Sequence, residues 1–217
     1  MNKQPVRFRF AAAAAASVAV VLTLGVAVSG NAAPSPTSTP AGVGAADAAL
    51  PASSVYQLAV ALTDQTGRDF RLGDRRGKPM LVSMFYSNCQ FVCPMLIDTL
   101  RDTESKLDVG ERDHLGVLMV SIDPAHDSVA VLKQKADERV IPTPRWAMAR
   151  TDPASVRKLA AVLGIQYRAL ANGEFNHTTA LILLDADGRI VARSSQLGSA
   201  DPAFVVKVRR ALQAASP

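Results

Sequence analysis

The sequence predicts an α/β domain, a mixed sheet flanked by helices with an N-terminal hairpin extension. Three observations carry this reading. Short, bounded apolar runs at residues 80–86 (MLVSMFY), 115–122 (LGVLMVSI) and 179–184 (TALILL) have the length and composition of buried strands. A helical pattern lies between each successive pair of runs, and an Asp-Gly turn folds the chain back after the last one. With 217 residues, 48% hydrophobic, 20% charged and 5% aromatic, the chain has material for a core. The same figures exclude a wholly disordered chain, a coiled coil and a multi-span membrane protein.

Each segment follows in order. Residues 1–10 contain Lys3, Arg7 and Arg9 and no acid, residues 10–28 form a weakly apolar run, and small residues lead to Pro34. Residues 1–32 therefore read as a secretory signal with a cut after Ala32, or as an uncleaved membrane anchor over residues 10–28. Both place the rest of the chain outside the cytoplasm, on the periplasmic or extracytoplasmic face. Residues 33–51, rich in Ala, Pro, Ser and Thr, read as a flexible tether. Residues 52–217 remain as one domain. Thr63 to Gly67 supply the turn of an N-terminal hairpin, and the run at 80–86 is the first buried strand. After Pro94, Leu96, Leu100, Thr103 and Leu107 make one face of a helix. Asp152 and Pro153 give a cap and a first-turn proline to a second helix, which carries Val156, Leu159, Ala160 and Leu163 and stops at Gly164. Asp185 to Gly188 turn the last buried run into a hairpin with residues 190–192, and Asp201-Pro202 opens a final helix. This order is that of the thioredoxin-like fold. The Asp185-x-Asp-Gly stretch lacks the downstream glutamate of a calcium loop, so it reads as a turn.

The net charge is +5, but residues 1–32 hold three of the 24 basic residues and none of the 19 acids. The remainder has 21 basic against 19 acidic residues and no basic run interleaved with aromatics, which argues against nucleic acid as a partner.

The chemistry concentrates in two cysteines. Cys89 and Cys93 fall in Ser87-Asn-Cys-Gln-Phe-Val-Cys-Pro94, directly after a strand and at the mouth of a helix. Pro94 reads as that helix's first residue and Cys93 as its cap, so the helix N-terminus is expected to lower the pKa of one or both thiols. An inert disulfide is the bland reading, but one closing so short a loop adds little stability, which favours redox or metal chemistry. Two thiolates suit Cu(I), and an imidazole would extend the site to Cu(II). Of the three histidines, His114 reads as solvated and His126 as a loop residue past a strand end. His177 enters the last buried strand, where a structural role and a ligand role are both open.

These stretches resemble one family. Leu62-Thr-Asp-Gln-Thr-Gly67, Asn88-Cys-Gln-Phe-Val-Cys-Pro94, Ser121-Ile-Asp-Pro124 with Asp127, and His177 leading into residues 180–184 appear in the order of the SCO/SenC copper-binding assembly proteins. The resemblance covers about residues 55–212. It implies that Cys89, Cys93 and His177 bind one copper ion, and that Asp123 and Asp127 support them, unless the two acids cap the helix starting near Ser128. The absence of a proline near His177, where thioredoxin relatives have a cis-proline, fits the copper reading. It further implies a metallochaperone that exchanges copper with other copper chaperones and delivers it to the copper-centre subunit of a cytochrome c oxidase or a related respiratory enzyme. Two departures bear on affinity and partner choice: Asn176 stands where an Asp is common, and Gln90-Phe91-Val92 lacks the frequent acid. A thiol:disulfide oxidoreductase would use the same dithiol without His177. A thiol peroxidase lacks its usual Thr, with Phe85, Tyr86, Cys89 and Gln90 at the relevant positions.

Overall fold

The computed structural model describes residues 49–215. The predicted signal or anchor and the tether up to residue 48 lie outside the described residues. Among the described residues there are nine strands and five α-helices.

A hairpin of β1 (Ala61–Asp64) and β2 (Asp69–Arg71) turns where Thr63 to Gly67 predict it. Asp64 holds that turn, its carboxylate accepting from the Thr66 and Arg68 backbone N–H groups at 2.9 and 3.1 Å. Next come β3 (Met80–Phe85), α1 (Val92–Ser105), the short α2 (Val109–Asp113), β4 (Gly116–Ser121) and α3 (Val129–Glu138). They are followed by β5 (Trp146–Arg150), α4 (Pro153–Leu163), β6 (Tyr167–Ala169) and β7 (Phe175–His177). The chain closes with β8 (Leu181–Leu184), β9 (Ile190–Ser194) and α5 (Pro202–Ala215).

Seven strands form one sheet in the order β2-β1-β5-β4-β3-β8-β9. Its centre, β5-β4-β3, is parallel, and β1 and β8 flank it antiparallel. All six residues of β3 are buried, as a strand covered on both faces requires. The apolar faces of α1, α4 and α5 close over the sheet through Leu96, Leu100, Leu159, Leu163, Phe204 and Val208, all 2% exposed or less. Full burial of each such side chain stabilises the fold by about 2 kcal/mol.

The helix signals hold where the cap chemistry was explicit. Asp152 accepts from Ala154 and Ser155 N–H, Pro153 opens α4, and Gly164 ends it at φ 63°, a left-handed turn that a side chain would resist. Three elements differ from the sequence reading. α1 begins at Val92, so Cys93 and Pro94 sit inside its first turn and Phe91 occupies the cap position. β5 is an additional parallel strand between β4 and β1. β6 and β7 form a separate two-stranded ribbon, paired Tyr167↔His177, Arg168↔Asn176 and Ala169↔Phe175. The cis bond at Pro144 lies before β5, away from the loop that carries His177.

Candidate metal centre

The dithiol is placed by the end of β3. The chain leaves the sheet at Tyr86, makes a short loop and enters α1, so the first-turn N–H groups of α1 point back at the loop. The Cys93 N–H donates to Cys89 Sγ at 3.3 Å. Both cysteines are thiols; Cys93 is buried and Cys89 half-buried. The two respond oppositely. Burial pushes the Cys89 thiol up, but the N–H groups of Cys93, Phe91 and Val92, with the Cys93 thiol, outweigh it and hold Cys89 below the ordinary thiol range. For Cys93 burial prevails, with the neighbouring Cys89 and the Asp127 charge adding to it against one Tyr86 backbone hydrogen bond, so its thiol is driven strongly upward. Only one of the two thiols is thus activated, Cys89.

His177 arrives from the other side of β3. Because β8 runs antiparallel to β3, with Val82 opposite Ile182, the segment entering β8 passes the carboxyl end of β3. The Ser83 hydroxyl donates to the Ala180 carbonyl at 2.8 Å and ties that segment down. His177 ends β7, half-buried, with Nδ1 3.2 Å from the Thr178 carbonyl. A carbonyl only accepts, so in that contact Nδ1 carries the proton and Nε2 keeps its lone pair. Burial lowers the His177 pKa against that hydrogen bond, favouring the neutral, ligand-competent ring.

Cys89 and His177 line one cavity of about 320 Å³ together with Tyr86, Val92, Leu170 and Phe175. Cys89 and Cys93 line a second, narrow one of about 40 Å³, with Tyr86, Ser87, Pro94 and Ile97. Tyr86 and Cys89 belong to both cavities. Among the described residues, no group of three or more His, Cys, Asp or Glu side chains stands at metal-holding distance. A larger apolar groove of about 690 Å³, between Leu62, Ile122 and Tyr167, contains none of these residues.

Tyr86 is the residue that sequence reasoning passed over. Its ring packs on Phe175 at 5.2 Å and meets the His177 ring edge-on at 5.9 Å between centroids. Burial raises its phenol, with the Cys89 sulfur beside it, against a backbone hydrogen bond at Phe175. An aromatic residue three positions before the first cysteine, at the end of a strand, was the available signal.

The two acids separate. Asp127, 1% exposed, accepts from the Ser87 N–H at 3.1 Å and from the hydroxyls of Ser87 and Ser121. It therefore anchors the first residue of the cysteine loop. Arg150 in turn fixes the Asp127 and Pro124 carbonyls at 2.9 and 2.8 Å. Asp123 faces His126, whose Nδ1 lies at 2.8 Å. Neither acid contacts His177, and neither caps α3: that role belongs to Ser128, which accepts from the Val131 N–H. His126 is exposed on its Asp123 contact, and His114 is the exposed cap residue ending α2.

Three comparisons bear on this arrangement. A family model described as SCO1/SenC matches residues 51–213. The mitochondrial protein SCO2 of Saccharomyces cerevisiae is 36% identical over 75 residues. That match covers 34% of this chain and 24% of SCO2, about a quarter of the curated relative's length. Yeast Sco1, solved with copper bound, superposes with a TM-score of 0.60 at 22% identity, covering 73% of this chain and 88% of that one. BsSco, described as a member of the Sco family of cytochrome c oxidase assembly proteins with a disulfide switch, superposes with a TM-score of 0.59 at 18% identity. It covers 70% of this chain and 91% of BsSco. These structural likenesses show the fold.

Proposed function

The chain belongs to the SCO1/SenC family, and from that premise we propose that it is a copper metallochaperone for a respiratory oxidase. Cys89 and Cys93 would hold Cu(I) as thiolates, and His177 would complete a three-ligand site through Nε2. The observation that carries this is the convergence of the strand end bearing Cys89 with the crossover bearing His177 on one cavity. Soft thiolates suit Cu(I), and the imidazole accommodates Cu(II). Three protein ligands leave a position for an incoming donor, so copper would pass by exchange, to the copper-centre subunit of a cytochrome c oxidase or related enzyme and from other copper chaperones. Copper bound to relatives such as yeast Sco1 supports the choice of metal. Joining the two sulfurs would release two protons and two electrons to an oxidant and remove both thiolate ligands. Export of the domain by residues 1–32 would place this exchange on the extracytoplasmic face.

The opposed thiols favour a second reading. A lowered Cys89 beside a buried, raised Cys93 is the arrangement of an attacking and a resolving thiol. In a thiol:disulfide reductase His177 would be dispensable. Titration of the reduced chain with Cu(I) and Cu(II), with and without His177→Ala, separates the two. The chaperone reading expects one ion per chain and a Cu(II) charge-transfer band lost in the variant. Absence of copper uptake, with reduction of a disulfide substrate by both proteins, would establish the reductase instead.

A further inference from the structure

Cys93 lines the smaller of the two cavities and His177 the larger, while Cys89 and the Tyr86 ring between them line both. We propose that the Tyr86 ring is a gate between the buried Cys93 thiol and the imidazole, a positioning residue that must give way before all three side chains hold one ion. This deepens the copper reading and rests on it.

Four observations lead there. Tyr86 is 5% exposed as a residue, its ring is clasped by Phe175 and His177, and it lines both cavities. No three-ligand cluster is assembled among the described residues with the ring in this place. Phe175 and His177, the two residues that clasp it, belong to the same ribbon. That ribbon is two three-residue strands that pair with each other and with no strand of the main sheet, whereas Ala180 beyond it is tied to Ser83. A shift of the ribbon about residues 178–180 would carry Phe175 and His177 together and release the ring. Copper would then be taken first by the dithiol, with the imidazole engaging once the ring has moved.

The gate is a two-state element, so its effect follows the fraction of chains already open. With about 10% open, removing the ring speeds formation of the imidazole-containing site about tenfold. The test is rapid mixing of the reduced full-length chain with Cu(II) under anaerobic conditions, freeze-quenched and read by electron paramagnetic resonance for the imidazole nitrogen coupling that His177→Ala is expected to remove. Tyr86→Ala is expected to gain the imidazole signal about tenfold faster, and Tyr86→Phe, which keeps the ring but loses the hydroxyl's hydrogen bond at Phe175, to be accelerated less than Tyr86→Ala. On the His177→Ala background, Tyr86→Ala should leave copper uptake by the thiols unchanged, a comparison that isolates the Tyr86–His177 coupling from general loosening. If Tyr86→Ala does not melt as a folded protein, Tyr86→Val carries the measurement. An unchanged rate in the ring-deleted variant overturns the gate, as does equal acceleration by Tyr86→Phe. A wild type that takes up no copper at all refutes the metal-binding reading before the gate is reached.

Discussion

The Asp127 carboxylate is where the fold and the cysteine loop are joined, and Asp127→Ala exposes what that joint contributes. The carboxylate is 1% exposed and receives three donors: the Ser87 N–H, the Ser87 hydroxyl and the Ser121 hydroxyl. Hydrogen bonds to a charged group contribute about 1.5–3 kcal/mol each. The three share one acceptor, and removing a buried charge recovers part of its desolvation cost, so the net loss is about 3 kcal/mol rather than the sum. For a domain of this size each kcal/mol lowers the melting temperature by about 2–4 °C, giving a drop of about 9 °C. Asp123→Ala is the matched control. It removes a contact to a histidine whose side chain is 78% exposed, worth at most about 1 kcal/mol. Thermal melts of the reduced chain followed by circular dichroism measure both. An Asp127→Ala melt within about 2 °C of wild type, or a larger loss from Asp123→Ala, would refute the assignment of Asp127 as the anchor of the loop.

Alkylation of the reduced chain by iodoacetamide, read by mass spectrometry against pH, should modify Cys89 first. Because its thiol is held below the ordinary range, its reaction rises at lower pH than that of a free cysteine, while Cys93 stays unmodified until the fold opens. Equal rates at the two positions would contradict the asymmetry. Glu104→Ala should cost about 3 kcal/mol in chemical denaturation, since this buried carboxylate accepts from Trp146 Nε1 at 3.0 Å and pairs with Arg145. Gly188→Ala should cost at least about 2 kcal/mol. Gly188 turns the β8–β9 hairpin at φ 82°, and an added Cβ would lie 2.5 Å from the Tyr56 ring; a neutral melt would show that this turn relaxes freely.

What the sequence disclosed follows from how far each feature depends on distant chain. Strands β3, β4 and β8 are buried on both faces, so each is a continuous apolar run that announces itself. β5 is as deeply buried, but Trp146-Ala-Met-Ala has no β-branched residue. Its identity as a strand comes from lying between β4 and β1, not from local preference. The β6–β7 ribbon is illegible for the opposite reason: its six residues are exposed or half-buried, so no burial pattern marks them. α1 starts two residues before Pro94, the strong first-turn signal, because a proline is tolerated anywhere in that turn, where its missing N–H costs nothing.

The same distinction divides the site. Cys89 and Cys93 lie within one loop and one helical turn, so their pairing is a local fact that spacing can convey. His177 reaches the loop only because β8 pairs antiparallel with β3, a contact spanning almost 100 residues that periodicity does not reveal. The Tyr86 ring is a consequence of that contact: until the crossover brings Phe175 and His177 alongside, it is one more aromatic at the end of a strand. The two thiols show the point most sharply. Their sequence setting at a helix N-terminus predicts lowered pKa values for one or both, and the depth to which the chain buries Cys93 makes them diverge. A helix N-terminus stabilises a thiolate only where burial does not cost more; at Cys93 burial prevails, with Cys89 and the Asp127 charge adding to it.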